Sequence, residues 1–206
     1  MRLAPGARRY AAVAFALAVP LLFASAPVAL ALVALGGFVL WFHRDPVREI
    51  PSAGVVSPAD GRVSVLRVED DRVRVGVFMN VTDVHVNRAP LDGVVASVDH
   101  RAGAHRPAFS KESERNERVR IATDAYELDL IAGAFARRIH PYVEPGDAIE
   151  RGERVGHVSF GSRADVLLPA GYDREDVRVA VGDRVRAGES VLAYARESSA
   201  DPRSAT

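Results

Sequence analysis

The peptide bond between Gly161 and Ser162, in the run Val158-Ser159-Phe160-Gly161-Ser162-Arg163-Ala164-Asp165-Val166, joins two residue types that together can rearrange a backbone. A serine hydroxyl attacks the carbonyl of the preceding residue only where the chain is sharply bent. Glycine tolerates such geometry because it lacks a Cβ. Three further segments carry groups suited to the same chemistry: Ser57-Pro58-Ala59-Asp60-Gly61, Asp83-Val84-His85-Val86-Asn87-Arg88-Ala89-Pro90 and Asn116-Glu117-Arg118. A serine is a weak nucleophile until a base takes its proton, and imidazole is matched to neutral pH. His85 is therefore the candidate base. Each signal has a plainer reading: Gly-Ser and Asp60-Gly61 as turns, His85 as a satisfied core residue, and Lys111 to Arg118 as a solvated charged loop.

Composition narrows the chemistry further. The 206 residues suit one modest domain plus an appendage, and 27 basic residues balance 27 acidic ones. No global field favours nucleic acid. Lys111 is the single lysine, so a carbonyl cofactor held as a lysine Schiff base would have to use it, and pyridoxal phosphate is not expected. Cysteine is absent, which excludes disulfides, thiolate metal sites and cysteine nucleophiles. The six histidines (43, 85, 100, 105, 140 and 157) show no His-x-x-x-His spacing, and no metal is expected.

Two kinds of element must position these groups. From Tyr10 to Phe42 no side chain is charged. That run is longer than one span of about 20 residues and short for two. Pro20 and Pro27, with Ser25 between them, divide it, and Arg8 and Arg9 at one end face Arg44 and Arg48 at the other. Positive charge on both flanks favours a hairpin that returns to the cytoplasmic face, with one tilted helix as the alternative. The expectation is a retained membrane anchor over residues 1–43 rather than a cleaved signal peptide.

Beyond Gly54 the pattern is short, Val-rich and alternating. Strands are predicted at Val63–Val68, Arg72–Val77, Val94–Val98, Val119–Thr123, Glu127–Ile131, Arg154–Ser159, Val166–Leu168, Val177–Val181 and Ser190–Ala195. Asp70-Asp71 is a hairpin turn between the first two, and residues 132–139 hold a short helix or another strand. An internal repeat relates Val143–Val155 to Val179–Val191 as Val-x-x-Gly-Asp-x-(Ile/Val)-x-x-Gly-Glu-x-Val. Its glycines and acids are turn-makers, so each copy is a strand–turn–strand unit. The fold class expected is mostly β, a compact β-sandwich or barrel-like catalytic domain over 44–196, with a flexible tail at 197–206.

The ordered motifs Phe42-His43-Arg44-Asp45-Pro46-Val47-Arg48, Ser57-Pro58-Ala59-Asp60-Gly61, Asp83–Pro90, Asn116-Glu117-Arg118, Ala136-Arg137-Arg138-Ile139 and Phe160–Asp165 closely resemble the phosphatidylserine decarboxylase family in its short, archaeal-type form. The resemblance covers Trp41 to Ala195. It implies a proenzyme that cuts itself between Gly161 and Ser162 by hydroxyl attack, ester formation and β-elimination. The products would be a β chain, 1–161, and an α chain, 162–206, that begins with a pyruvoyl group made from Ser162. The resemblance further implies that the substrate amine forms an imine with that ketone, that CO2 is lost, and that an ethanolamine lipid is released. It implies no metal, a serine phospholipid as substrate (phosphatidylserine or ether-linked archaetidylserine), the cell membrane as location with the catalytic domain on its cytoplasmic face, and leaves a homo-oligomer open. By the same resemblance Asp60 orients a histidine, and Asn116, Glu117 and Arg118 support the site. In longer bacterial relatives a second histidine lies three residues after His85; here Arg88 stands there, so His85 acts alone or with His140. Arg88 and Arg163 are candidates to meet the lipid phosphate. The competing readings are a membrane-anchored adaptor without chemistry, or a non-catalytic lipoyl- or biotinyl-like module, although Lys111 lies outside both repeats.

Overall fold

The computed structural model describes residues 2–103, 115–133, 139–158 and 161–196. Lys111, His105, the Ala136-Arg137-Arg138 motif, Ser159-Phe160 and the tail at 197–206 lie outside the described residues. The chain opens with strand β1 (Arg2–Leu3), helices α1 (Ala7–Ala24) and α2 (Ala26–Phe42), and strand β2 (Arg44–Asp45). Then come β3 (Val55–Val56), β4 (Gly61–Glu69), β5 (Arg72–Phe78), β6 (Val86–Arg88), β7 (Gly93–Arg101), β8 (Arg118–Thr123) and β9 (Glu127–Ile131). The remaining strands are β10 (Ile139–Pro141), β11 (Ala148–Ile149), β12 (Arg154–Val158), β13 (Arg163–Leu167), β14 (Arg184–Val185) and β15 (Val191–Ala193).

Alternation explains the main sheet. On β5, Val73, Val75 and Val77 face the core while Arg74 and Gly76 face the other way. Ile121, Leu128, Leu130, Ala164 and Val166 from neighbouring strands meet them there. Each such Val, Leu or Ile stabilises the fold by about 1.5–3 kcal/mol through removal from water. Eight strands, ordered β11-β7-β8-β9-β13-β5-β4-β14, curl into a half-barrel, and β10-β12-β6 forms a second, three-stranded sheet. The β4–β5 turn holds Asp70 and Asp71 at φ 47° and 63°, the paired left-handed residues a tight hairpin needs. The strand expected at Val177–Val181 does not form. Val177 makes one isolated bridge to Ala193, and the Gly182-Asp183 turn already directs the preceding backbone groups elsewhere.

The repeat extends further than its second half. Pro58-Ala59-Asp60-Gly61 and Pro90-Leu91-Asp92-Gly93 occupy matching places, each feeding a long strand. Gly61 pairs with Val185 as Gly93 pairs with Ile149. Val56 N–H donates to the Pro90 carbonyl and Arg88 N–H to the Pro58 carbonyl, so the halves exchange the same bond across a pseudo-dyad. Asp60 Oδ1 accepts the Ala187 N–H at 2.8 Å, and Asp92 Oδ1 accepts the Arg151 N–H at 2.7 Å.

Helices α1 and α2 break at Ser25, whose extended backbone (φ −160°) lies between Pro20 and Pro27. They fold back as a hairpin because β1 pairs antiparallel with β2, Arg2 opposite Asp45 and Leu3 opposite Arg44. Small residues form the contact: Ala7, Ala11, Ala14 and Ala18 on α1, Ala29 and Gly36 on α2. The Phe15 ring packs over Gly36, where any Cβ would lie 2.5 Å from it. Val13, Leu17, Leu22, Phe23, Leu30 and Leu35 point outward and are exposed, so α1 is not the core helix of a soluble domain. Its 18 residues, with mean hydropathy 1.5, are long and apolar enough to cross a membrane.

Candidate active site

Ser162 immediately precedes β13 at a corner of the main sheet and is fully buried. Gly161 before it has φ +65°, a left-handed conformation that favours glycine, although none of the described residues would crowd a Cβ there. The requirement these residues show is conformational. Among the described residues Ser162 Oγ makes only long contacts, 3.4 Å to the Val158 carbonyl and 3.9 Å to Met79 Sδ, and no strong bond to any of them locks the hydroxyl. Its own carbonyl accepts the Met79 N–H at 2.8 Å. From Arg163 onward β13 is paired on both sides, with β5 and β9.

His85 approaches the same place through Val158, whose N–H donates to the His85 carbonyl while its carbonyl receives the Ser162 hydroxyl. Asp83 builds the turn before it: its carboxylate accepts the Asn80 N–H and pairs with Arg184 at 3.1 Å. His85 Nδ1 lies 3.0 Å from the Asp83 carbonyl; a carbonyl can only accept, so Nδ1 carries the proton. Nε2 is then the lone-pair nitrogen, buried and without a hydrogen-bond partner among the described residues. Burial, with His43 and Arg44 nearby, lowers the imidazole to about 4 despite the Asp83 bond. At neutral pH the ring is an oriented, uncharged base. Asn87, two residues on, shares Met79 Sδ with Ser162 and has a buried Oδ1 without a partner among the described residues.

Three more histidines, scattered in the chain, converge here. His140 stacks on His157 with ring centres 4.6 Å apart, because β10 and β12 place them opposite each other. His157 Nδ1 lies 2.7 Å from the Tyr142 hydroxyl, and His43 presents its edge to the His157 ring at 6.2 Å. Phe42, the last residue of α2, packs its ring 4.4 Å from that of His85. Burial, followed by His140, His43 and His85, pushes His157 down to about 3. Among the described residues, no group of three or more His, Cys, Asp or Glu side chains is arranged to hold a metal ion.

The remaining candidates are placed differently from one another. Asp60 meets no histidine among the described residues; Arg48 Nη2 holds both its oxygens at 2.8 and 2.9 Å. Arg88 is buried, bonded to Asp45 and to the Gly152 and Pro46 carbonyls. Arg163 is buried and clasps Asp165 with two bonds. Each guanidinium is thus engaged by a buried carboxylate of the chain itself. Asn116 is buried, with Nδ2 on the Ala132 carbonyl, while Glu117 pairs with exposed His100 at 2.8 Å. Arg118 begins β8 beside Arg120 and Asp129 on the outer face of the sheet.

The family description that matches the chain, phosphatidylserine decarboxylase, covers residues 35–193, from within α2 to the end of β15. A Halobacterium salinarum protein provisionally named an archaetidylserine decarboxylase proenzyme is 62% identical over 190 residues, 92% of this chain and 97% of that one. A Streptomyces avermitilis phosphatidylserine decarboxylase proenzyme is 50% identical over 170 residues, 80% of this chain and 78% of its own. The chain belongs to the phosphatidylserine decarboxylase family.

Membership in the phosphatidylserine decarboxylase family makes the protein a lyase of phospholipid metabolism and retires the carrier-module and adaptor readings. Sequence reasoning about this decarboxylase passed over His43, Asn87, Tyr142 and His157. Asn87 and His43 lay in motifs already singled out. His157 carried a signal of its own: a lone polar ring in the apolar strand that leads to the Gly161-Ser162 corner. Tyr142 carried none, since its place beside His157 comes only from strand pairing.

Proposed function

We propose that this chain is a proenzyme that cuts itself between Gly161 and Ser162 and then, as a pyruvoyl enzyme, decarboxylates a serine phospholipid to the ethanolamine lipid and CO2. The substrate is phosphatidylserine or archaetidylserine, the headgroup being common to both. The observation that carries this is the Ser162 corner: a buried hydroxyl with only long contacts among the described residues, directly after a glycine at φ +65°. His85 Nε2 takes the hydroxyl proton, Oγ bonds to the Gly161 carbonyl carbon, and the proton passes to the Ser162 nitrogen as its bond to that carbon breaks, leaving an ester and a free amine. The resulting ester loses the Ser162 Cα proton and expels the Gly161 carboxylate. The dehydroalanine left at 162 takes up water and releases ammonia.

The residues present fit a pyruvoyl group at this position. The carbonyl of residue 162 is held by the Met79 N–H, and β13 by strands on both sides, so the residue keeps its place when the bond before it is cut. The group supplies an electrophilic ketone that takes up the electrons released with CO2. His85 and Asn87 offer polar atoms for that site, and the buried histidines keep uncharged nitrogens available to hold or deliver a proton. Asp60 acts at one remove, holding Arg48 and the Ala187 N–H together.

Residues 1–43 form the membrane anchor, 44–196 the catalytic domain, and 197–206 the tail. The outward apolar side chains of the hairpin support the anchor, and Arg8, Arg9, Arg44 and Arg48 support a cytoplasmic catalytic face. Purified protein should run on a denaturing gel as two pieces, the smaller being 162–206 with a blocked N-terminus. Ser162→Ala should remain one uncut, inactive chain. A wild-type protein with Ser162 unmodified during turnover would refute the proposal. Mass spectrometry of lipids from expressing cells identifies the substrate backbone.

A further inference from the structure

A pocket of about 220 Å3 lies where the anchor meets the catalytic domain, walled in part by Arg2, Ala4, Asp45, Val86, Tyr142 and Arg154. Its anchor-side wall comes from β1 and β2, immediately outside the start of α1 at Ala7 and the end of α2 at Phe42. With the hairpin in a bilayer, this is the depth of the phosphate layer. Trp41, with the Arg44 guanidinium 4.4 Å from its ring centre, marks the same interface. The opposite wall belongs to the histidine cluster: Val86 follows His85 and pairs with His157, and the Tyr142 hydroxyl meets His157 Nδ1. Ala4 packs with Val84 and Val86, so the anchor's first residues sit directly on the segment that carries His85.

Charge in the pocket favours an anion. Asp45 is claimed by both Arg88 and Arg154. The Arg2 side chain has no ion-pair or hydrogen-bond partner among the described residues, so the lining carries two guanidiniums, Arg2 and Arg154, against one carboxylate that Arg88 also neutralises from behind. Arg154 uses Nε on Asp45, and its two terminal nitrogens carry no hydrogen bond among the described residues. Guanidinium nitrogens match phosphate oxygens in geometry and charge.

We propose that this pocket is the headgroup-phosphate subsite, in which Arg2 and Arg154 hold the phosphodiester of a serine phospholipid from the leaflet that holds the anchor. This rests on the serine-phospholipid reading above. Anchored there, the headgroup reaches the histidine cluster past Tyr142, and the lipid never leaves the depth of its own phosphate. Free inorganic phosphate shares the recognised chemistry, and the test separates the two sources.

The test uses full-length, processed protein turning over phosphatidylserine in neutral detergent micelles, with glycerophosphoserine and inorganic phosphate as competitors. Arg2→Gln and Arg154→Lys, the latter keeping a cation beside Asp45, should be cut into two pieces like the wild type. Each should raise the apparent KM about ten-fold and weaken glycerophosphoserine inhibition about ten-fold, the loss expected for a charge-assisted hydrogen bond, with kcat changed far less. Inorganic phosphate should inhibit the wild type more weakly than glycerophosphoserine. Unchanged KM and inhibition in correctly cut variants would overturn the subsite. So would a KM increase seen only on anionic vesicles, which would make Arg2 a general membrane contact, or phosphate inhibiting as strongly as glycerophosphoserine. A wild-type chain that is never cut and releases no CO2 would overturn the parent reading and this inference with it.

Discussion

At the scale of single residues, the protonation state of His85 governs the proton step proposed for the corner. Its Nδ1 proton is committed to the Asp83 carbonyl, and burial makes a second proton costly. A base lowered to about 4 stays in its active, neutral form across the physiological range. Self-cleavage of freshly translated precursor should therefore be flat from pH 8 down to about 5.5 and fall below that, whereas an ordinary histidine would lose half its base form at about pH 6.5. His85→Gln keeps much of the ring's volume but offers no base, and should slow cleavage by at least about 100-fold on a gel time course. Cleavage in this variant at the wild-type rate would remove His85 from the proton step. Asp60 shows the other outcome for a motif residue. Its equivalence to Asp92 across the repeat, together with Arg48, accounts for its position by turn and ion-pair chemistry.

At the scale of elements, the site depends on β13 lying between β5 and β9. That arrangement sets Asp165 opposite Asp129, a like-charge pair which is unfavourable by itself. Arg163, Arg74 and Arg120 compensate it, although burial still raises Asp165 above the usual carboxylate range. Gly76 makes room for this network, since a Cβ there would lie 2.5 Å from Asp165 Oδ1 and 2.9 Å from Val65 Cβ. Asp165 cannot retreat without giving up Arg163, the residue next to Ser162. Gly76→Ala should destabilise the domain by about 1–3 kcal/mol, read as a lowered Tm, and slow cleavage in step. An unchanged Tm would show that the sheet yields more easily than its packing indicates. The hairpin is an element of the site, because Phe42 and His43 at its end reach His85 and His157.

At the scale of the whole molecule, the two pieces that the proposed cleavage would give stay interlocked. Strands β13, β14 and β15 of the later piece pair with β5, β9, β4 and β3 of the earlier one. The histidine cluster also gives the fold an acid limit. His85 and His157 have folded values of about 4 and about 3, below the ordinary value near 6.5 that applies when unfolded. Between these values the unfolded chain binds more protons, so stability is full above about pH 6.5 and is lost as pH falls toward 4. Each histidine should remove about 2 kcal/mol between pH 7 and pH 5, seen as a falling Tm in detergent. His157→Gln should flatten that slope; a slope unchanged by this variant would place the acid sensitivity elsewhere.

What the order of residues alone determined was local: the β-rich class from period-two valines, the apolar helical hairpin from an uncharged run broken at Ser25, the Asp70-Asp71 turn, and the corner at Gly161-Ser162. These follow from backbone conformation and nearest-neighbour patterning, which a few consecutive residues express. Non-local pairing decided the rest. Four histidines spaced across more than half the chain meet only because β10, β12 and β6 lie side by side against the end of α2. Arg88 and Arg163 look free for a ligand in the sequence, yet turn inward because Asp45 and Asp165 are buried beside them and unpaired charges cannot be.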